Sequence, residues 1–353
     1  MKKFLSNYFN FDEKNTTLKT EIIGGITTFL TMAYALFLIP SVLSETGMNQ
    51  QSVFVATGLA AVIGTLIMGI YAKFPMVLAP GVGLNAFFAY SVCLGMNIPW
   101  QTAIAGVMAS GIIFLIISIT GLREIIIKAI PQNLKFAVSA GIGLFIAFVG
   151  FKNAGIIVKS DATFVQLGNL TDPNVLLAVF GILVISILMV RGKNTAIFIG
   201  MALTIVVGMI FGIIPVPSKV ISMVPSMAPT FGVSIANIKN VFTPQMMLVV
   251  FTFLFMDFFD TAGTLVAVGS KAGLLRKDGS VENGSKALLA DSVATCIGAV
   301  FGTTNTTSYV ESLSGIACGF LTYVILNVFK GNYKKIHPVM YALAALFIVY
   351  FMI

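Results

Sequence analysis

Charge is what this sequence has least of. Only 10% of its 353 residues are Asp, Glu, Lys or Arg, against roughly a quarter in soluble domains. A chain of this size with so little charge cannot cover a water-facing surface, which excludes a soluble monomer. Cysteine is scarce too. Cys93, Cys296 and Cys318 each lie in an apolar run, with no CxxC and no metal spacing. That excludes a disulfide framework and leaves small packing residues. The single histidine, His337, has no ligand cluster around it, so no metal site is expected. There is no HExxH, no P-loop and no nucleophile constellation, and an enzyme is not expected. No repeat of 20–50 residues is visible, which excludes a solenoid.

Apolar length is what the sequence has instead. Hydrophobic residues make up 58% of it. Residues 22–44, 52–72 and 195–218 carry no charge, and neither does the whole stretch from Phe74 to Leu122. That last run is long enough for two crossings, with Asn97-Ile98-Pro99 as the natural break. Only helices and closed barrels span lipid, and continuous rather than alternating runs select helices. The pattern predicts helices at 22–43, 52–72, 74–94, 99–121, 135–152, 174–190, 194–214, 244–270 and 286–302. It adds a stretch within 303–330 and a last helix at 337–353, about ten crossings in all. Arg123–Pro131 reads as an amphipathic connector, and 215–243 as a polar loop between two halves.

The net charge of +8 does not make this a nucleic-acid binder, because no basic face exists to track phosphates. With the N-terminus inside, all but Lys152, Lys159, Lys219 and Lys239 of the 21 basic residues fall in inside gaps. The positive-inside rule therefore predicts a multi-pass protein of the cell membrane with a cytoplasmic N-terminus and lipid as its solvent. Residues 1–21 are polar and of mixed charge, and read as a cytoplasmic tail rather than a cleavable signal.

Carboxylates inside apolar runs cost several kcal/mol on roughly any scale unless paired or hydrated. Asp257 and Asp260 are three residues apart and share a helix face, continued by Thr261 and Thr264. Two like charges so close in a low dielectric do not both ionise easily, so one is a natural proton carrier. Asp291 follows near the start of the next helix, where a pairing role and a transport role are both open. The run Gly302-Thr-Thr-Asn305-Thr-Thr-Ser-Tyr309-Val-Glu311-Ser312 is too rich in poor helix formers to be continuous helix. It predicts an extended piece entering a helix, which is tolerated at membrane depth only where it lines a cavity. In Ala79-Pro80-Gly81-Val-Gly83-Leu-Asn85, Pro80 and the glycines break a helix mid-span. Asn85 then sits near the start of a half-helix. Two broken elements in the two halves of a polytopic chain point to a transporter's binding site.

These segments resemble the AzgA-like hypoxanthine/guanine/adenine permeases, a branch of the nucleobase:cation symporters related to the xanthine and uracil permeases. The matching stretches are Gly25–Tyr34, Ala79–Tyr90, Met256–Thr264 and Gly302–Ser312. The resemblance implies an all-α, inverted-repeat core-and-gate transporter fold that takes up purine nucleobases with a proton as the coupling ion and no other cofactor. It implies that Asp257, Glu311 and Asn85 contact the base and that Asp260 serves proton coupling. Thr261, Asn305 and Phe258 would support the site, the phenylalanine by stacking. Carboxylates accept from purine N–H groups, and the Asn85 carboxamide can donate and accept at once. On this pattern 22–121 and 244–316 are core helices of the two repeats, 122–214 is the first gate, 215–243 connects, and 317–353 is residual gate. A homodimer is left open.

One departure stands out. The family follows its Glu-Ser-x-Ser-Gly-Ile-Ala stretch with Gly-Gly-Arg-Thr-Gly and further helices. Here Ser314–Ala317 runs straight into Cys318–Leu326, which resembles the family's last gate helix. An internal deletion that leaves the C-terminal gate incomplete is the expectation. It keeps two alternatives alive: a non-transporting membrane protein that retains base binding, and a carrier of another small solute.

Overall fold

A computed structural model describes residues 8–9, 16–120, 141, 143–144, 147–191, 196–216, 223–276, 280–310 and 312. The connector 123–131, half of the expected helix 135–152, Glu311, the junction 314–317 and the last expected helix lie outside the described residues.

The described chain is helical, and it is an integral membrane protein. Among the described residues, six helices or helix pairs are long and apolar enough to cross a bilayer, and Val82–Gly95 and Ala196–Ile210 are shorter apolar helices. The first is Leu18–Met32 (α1) followed by Ala35–Ser44 (α2), and the second is Gln50–Ile67 (α3), extended by a π-helical turn to Ala72. Val82–Ala86 (α4) continues as π-helix to Gly95, and Trp100–Thr120 (α5) follows. Later come Pro173–Val190 (α6), Ala196–Ile210 (α7), Pro244–Lys271 (α8) and Gly284–Phe301 (α9).

Local chemistry sets the starts. Asn49 Oδ1 accepts from Ser52 N (3.0 Å) and Asp172 Oδ1 from Asn174 N (2.8 Å). Thr243 Oγ1 accepts from Met246 N (3.2 Å), just before Pro244. Each cap satisfies an orphan donor, and proline is pre-set for the first turn.

The expected span 22–43 is interrupted at Ala33-Tyr34. The expected helix 74–94 begins only at Val82 and is preceded by a strand, Leu78–Pro80 (β1). Two features were not expected from the sequence. A hairpin pairs Ile157–Ser160 (β2) with Phe164–Leu167 (β3), strands too short to show a period. The loop 215–243 contains helical turns at Val233–Ala236 and Ile238–Val241.

The described residues form two compact units, one from 35–153 and 219–310, the other from 1–34, 154–218 and 311–353. In the smaller unit α6 packs on α7. In the larger, α9 packs on α5 and α3, and α5 also meets α8. The α5–α9 contact is close because Gly111 lacks a side chain: a Cβ there would stand 2.9 Å from Thr295 Cγ2 and 3.0 Å from Cys296 Sγ. Small residues are what membrane helices use to approach without a hydrophobic drive.

β1 is pinned from α3. Thr65 Oγ1 accepts from Leu78 N (3.1 Å) and donates to Leu78 O (3.2 Å). Thr65→Val would strand both backbone groups away from water at a cost of about 1–3 kcal/mol each. We expect a lower apparent melting temperature in detergent. An unchanged melting curve would show that β1 does not depend on this clamp.

Candidate functional site

The larger unit is built around a crossing of two extended segments. β1 pairs antiparallel with Thr306–Ser308 (β4), with Leu78 opposite Ser308 and Pro80 opposite Thr306. Proline contributes no N–H, so the ladder is closed at its ends by other groups. Gly81 N donates to Asn305 O (2.9 Å), Tyr309 N to Val77 O (3.1 Å), and Tyr309 Oη to Pro80 O (2.6 Å). Gly81 is needed for proximity: a Cβ there would lie 2.6 Å from Thr307 Cγ2. Both strands are fully buried.

Asp257, from the middle of α8, is 1% exposed. Its Oδ2 accepts from Asn305 Nδ2 (3.0 Å) and Thr295 Oγ1 (3.2 Å), while Oδ1 has no hydrogen-bond partner. Asn305 Nδ2 also donates to Ser110 Oγ of α5 (3.1 Å), and Asn305 Oδ1 is likewise buried without a partner. Thr295 Oγ1 is shared with Thr306 O (3.0 Å). Asn305 and Thr295 thus meet the carboxylate directly and Ser110 meets it through Asn305, and two buried acceptor oxygens there remain unmatched.

Asp260 lies one turn further along α8 but is exposed. Three residues advance a helix by 300°, so the two carboxylates sit about 60° apart around the axis. One points into the crossing and the other towards its rim. Thr307 Oγ1 donates to Asp260 Oδ2 (3.2 Å) and contacts Thr261 Oγ1 at 2.9 Å. Asn305 and Thr307 both face α8 because alternate residues of an extended segment share a side. Thr261 Oγ1 donates to Asp291 Oδ2 (2.8 Å). Asp291 is fully buried two turns inside α9. Thr261 is thus a hydrogen-bond partner of Asp291.

Of the residues expected at the site, Asp257, Asp260, Thr261 and Asn305 are brought together. Asn85 is adjacent, 1% exposed, and internally satisfied: its Nδ2 donates to Gly81 O (2.6 Å) and its Oδ1 accepts from Thr304 Oγ1 (2.8 Å). Phe258 is buried and meets Phe114 and Phe259 edge-on at 5.9 and 6.1 Å between ring centres. Glu311 lies outside the described residues. Thr295 and Ser110 were not singled out in the sequence, since hydroxyls in apolar helices are common and carry no signal alone, whereas Thr307 lies within the run Gly302–Ser312 that the sequence marked. Two cavities lie away from the crossing: one between α6 and α7 around Gly181 and Thr204, the other around Phe37, Pro40 and Phe54.

Residues 19–329 match a family model for xanthine and uracil permeases, described as the Permease family. The chain is 52% identical over 324 residues to the guanine/hypoxanthine permease PbuG of Bacillus subtilis, covering 89% of this chain and 73% of that one. It is 47% identical over 331 residues to a putative permease of Methanocaldococcus jannaschii, covering 93% and 76%. It is 38% identical over 327 residues to the adenine permease AdeQ of Escherichia coli, covering 92% and 73%. Among solved structures, the transmembrane domain of the cyanobacterial bicarbonate transporter BicA superposes with a TM-score of 0.52 at 14% identity, covering 95% of each chain. That last likeness is one of fold.

Proposed function

This chain belongs to the xanthine/uracil permease family, and from that premise we propose that it carries purine nucleobases across the cell membrane by alternating access, in symport with protons. The observation that supports this best is the buried carboxylate Asp257 at the crossing of β1 and β4, with Oδ1 unmatched beside the unmatched Oδ1 of Asn305. A purine offers N–H donors from its ring and exocyclic amine, and carboxylates are strong acceptors for them. Relatives of this chain are named as guanine/hypoxanthine and adenine permeases. Asp257, Asn85 and Glu311 are the proposed base contacts and Asp260 the proton-coupling group. The distribution of lysine and arginine supports a cytoplasmic N-terminus.

Uptake of labelled hypoxanthine, guanine and adenine in a permease-null host tests the reading. Accumulation is expected for at least one of them. A protein that reaches the membrane without accumulating any would refute transport. A second reading rests on the direct run from Ser314–Ala317 into Cys318, which omits the family's Gly-Gly-Arg-Thr-Gly segment. On it the chain binds base without moving it, and equilibrium binding without accumulation would select that reading.

Asp260→Asn separates the roles. It removes an exposed carboxylate that meets the crossing through Thr307. Purine binding is expected to stay within about threefold, a change under 1 kcal/mol, while uptake loses its response to an imposed proton gradient. Equal loss of binding in Asp257→Asn and Asp260→Asn would contradict the division.

A further inference from the structure

We propose that Asp291 is the inner terminus of a proton-holding chain, Asp260–Thr307–Thr261–Asp291, which keeps one proton between an exposed and a fully buried carboxyl group. The inference deepens the symport reading, since it says where the coupling proton resides.

Three oxygen–oxygen contacts link the four side chains: Asp260 Oδ2 to Thr307 Oγ1 at 3.2 Å, Thr307 Oγ1 to Thr261 Oγ1 at 2.9 Å, and Thr261 Oγ1 to Asp291 Oδ2 at 2.8 Å. Each contact needs one hydrogen, and each hydroxyl owns one. Two ionised carboxylates would draw both hydroxyl hydrogens outwards and leave the two threonine oxygens facing each other with none between them. Two protonated carboxyls would supply one hydrogen too many. The geometry is satisfied with one proton on the pair.

That proton has two homes. With Asp260 protonated, Asp260 donates to Thr307, Thr307 to Thr261, and Thr261 to Asp291. With Asp291 protonated, every donation is reversed. Passage inwards moves the carboxyl proton of Asp260 to Thr307 Oγ1, the Thr307 proton to Thr261 Oγ1, and the Thr261 proton to Asp291 Oδ2. The net change is one proton transferred and a carboxylate left at Asp260. The two hydroxyls end as they began.

The surroundings suit such a chain. Asp260 is exposed and can exchange with water, while Asp291 and Thr261 are 0% exposed. The charged groups acting on Asp291 are Asp257 and Asp260, both from α8. β4 faces α9 with hydroxyls, and α3, α5 and the short helix Val233–Ala236, which also pack on α9, contain no titratable residue. The π-helical turn after α3 contributes Tyr71, which is exposed. Cys296 lies on α9 itself, beside Asp257. Among the described residues no cation forms an ion pair with Asp291, so the extra proton is what limits the negative charge there.

Infrared spectroscopy of the purified protein without purine tests the count. The wild type should show protonated-carboxyl C=O absorption near neutral pH, of which Asp260→Asn and Asp291→Asn each lose the same one-carboxyl component. Either amide supplies the third hydrogen from its own N–H, so neither variant needs the carboxyl proton. That component retained in either variant, or absent from the wild type, overturns the proposal and leaves purine transport untouched. The second arm reads transport in proteoliposomes. Thr261→Val should cut gradient-driven uptake about tenfold, and Thr261→Ser should keep it within about twofold, because only serine keeps the hydroxyl. Equal losses in the two would overturn the chain. Should the wild type fail to transport, the infrared arm still decides. The threonine variants, read by the same band, cover the case in which Asp291→Asn does not fold.

Discussion

Asp257→Asn should weaken purine binding by about thirtyfold or more, the loss of roughly 2 kcal/mol or above expected when a buried, hydrogen-bonded charged partner is removed. Asp257 Oδ2 is held by Asn305 and Thr295, which leaves Oδ1 as the oxygen to meet a donor. In the asparagine variant only one oxygen remains. If that oxygen keeps the donors from Asn305 and Thr295, an N–H₂ group stands where a purine N–H would arrive. If the amide flips, its donors confront the Asn305 amide instead. Either way one donor meets another, and that repulsion is what a site built on acceptors discriminates against. Equilibrium binding of labelled hypoxanthine to purified protein is the measurement, with the melting curve as control for folding. A folded Asp257→Asn protein with wild-type affinity would remove Asp257 from the site.

Gly302→Val should be the most damaging single change to the fold in this region. Gly302 ends α9 with φ +97°, and Gly302 N and Thr303 N both donate to Gly298 O. An L-residue in a left-handed conformation costs roughly 1–2 kcal/mol. A side chain would also run into Thr230, whose Cβ, Oγ1 and carbonyl oxygen crowd the position. Thr230 cannot easily retreat, because its Oγ1 donates to Phe301 O (3.0 Å) and the neighbouring Gly232 N donates to Val300 O (2.7 Å). Overpacking adds about 1–3 kcal/mol. Since the turn launches Thr303–Ser308, the register of β4 against β1 depends on it. We expect little monodisperse protein after detergent extraction and a strongly lowered melting temperature. A Gly302→Val protein as stable as the wild type would show that the turn can relax, and that β4 is held by its partners rather than by its entry.

Much of this molecule was legible in one dimension. Membrane character, helices at 52–72, 99–121, 174–190 and 244–270, and the break at Pro80-Gly81 follow from charge-free length and from proline and glycine chemistry, which act locally. The Thr-rich run after Gly302 was readable as extended for the same reason. So was the oddness of Asp257, Asp260 and Asp291, because a carboxylate in an apolar run is conspicuous wherever it ends up. The partners of those carboxylates were not readable. Asp257 and Asn305 are 48 residues apart, Asn85 and Thr304 are 219 apart, and no local rule links them. Nor could spacing alone tell that Asp257 is buried while Asp260 is exposed, since both fit one helix face and only the packing of α8 against β4 separates them. The sequence by itself determined that polar groups would have to be accommodated inside a membrane protein. The tertiary structure decided which hydroxyl meets which carboxylate, because hydrogen bonds need atoms within about 3 Å of each other, and only the crossing of β1 with β4 brings them that close.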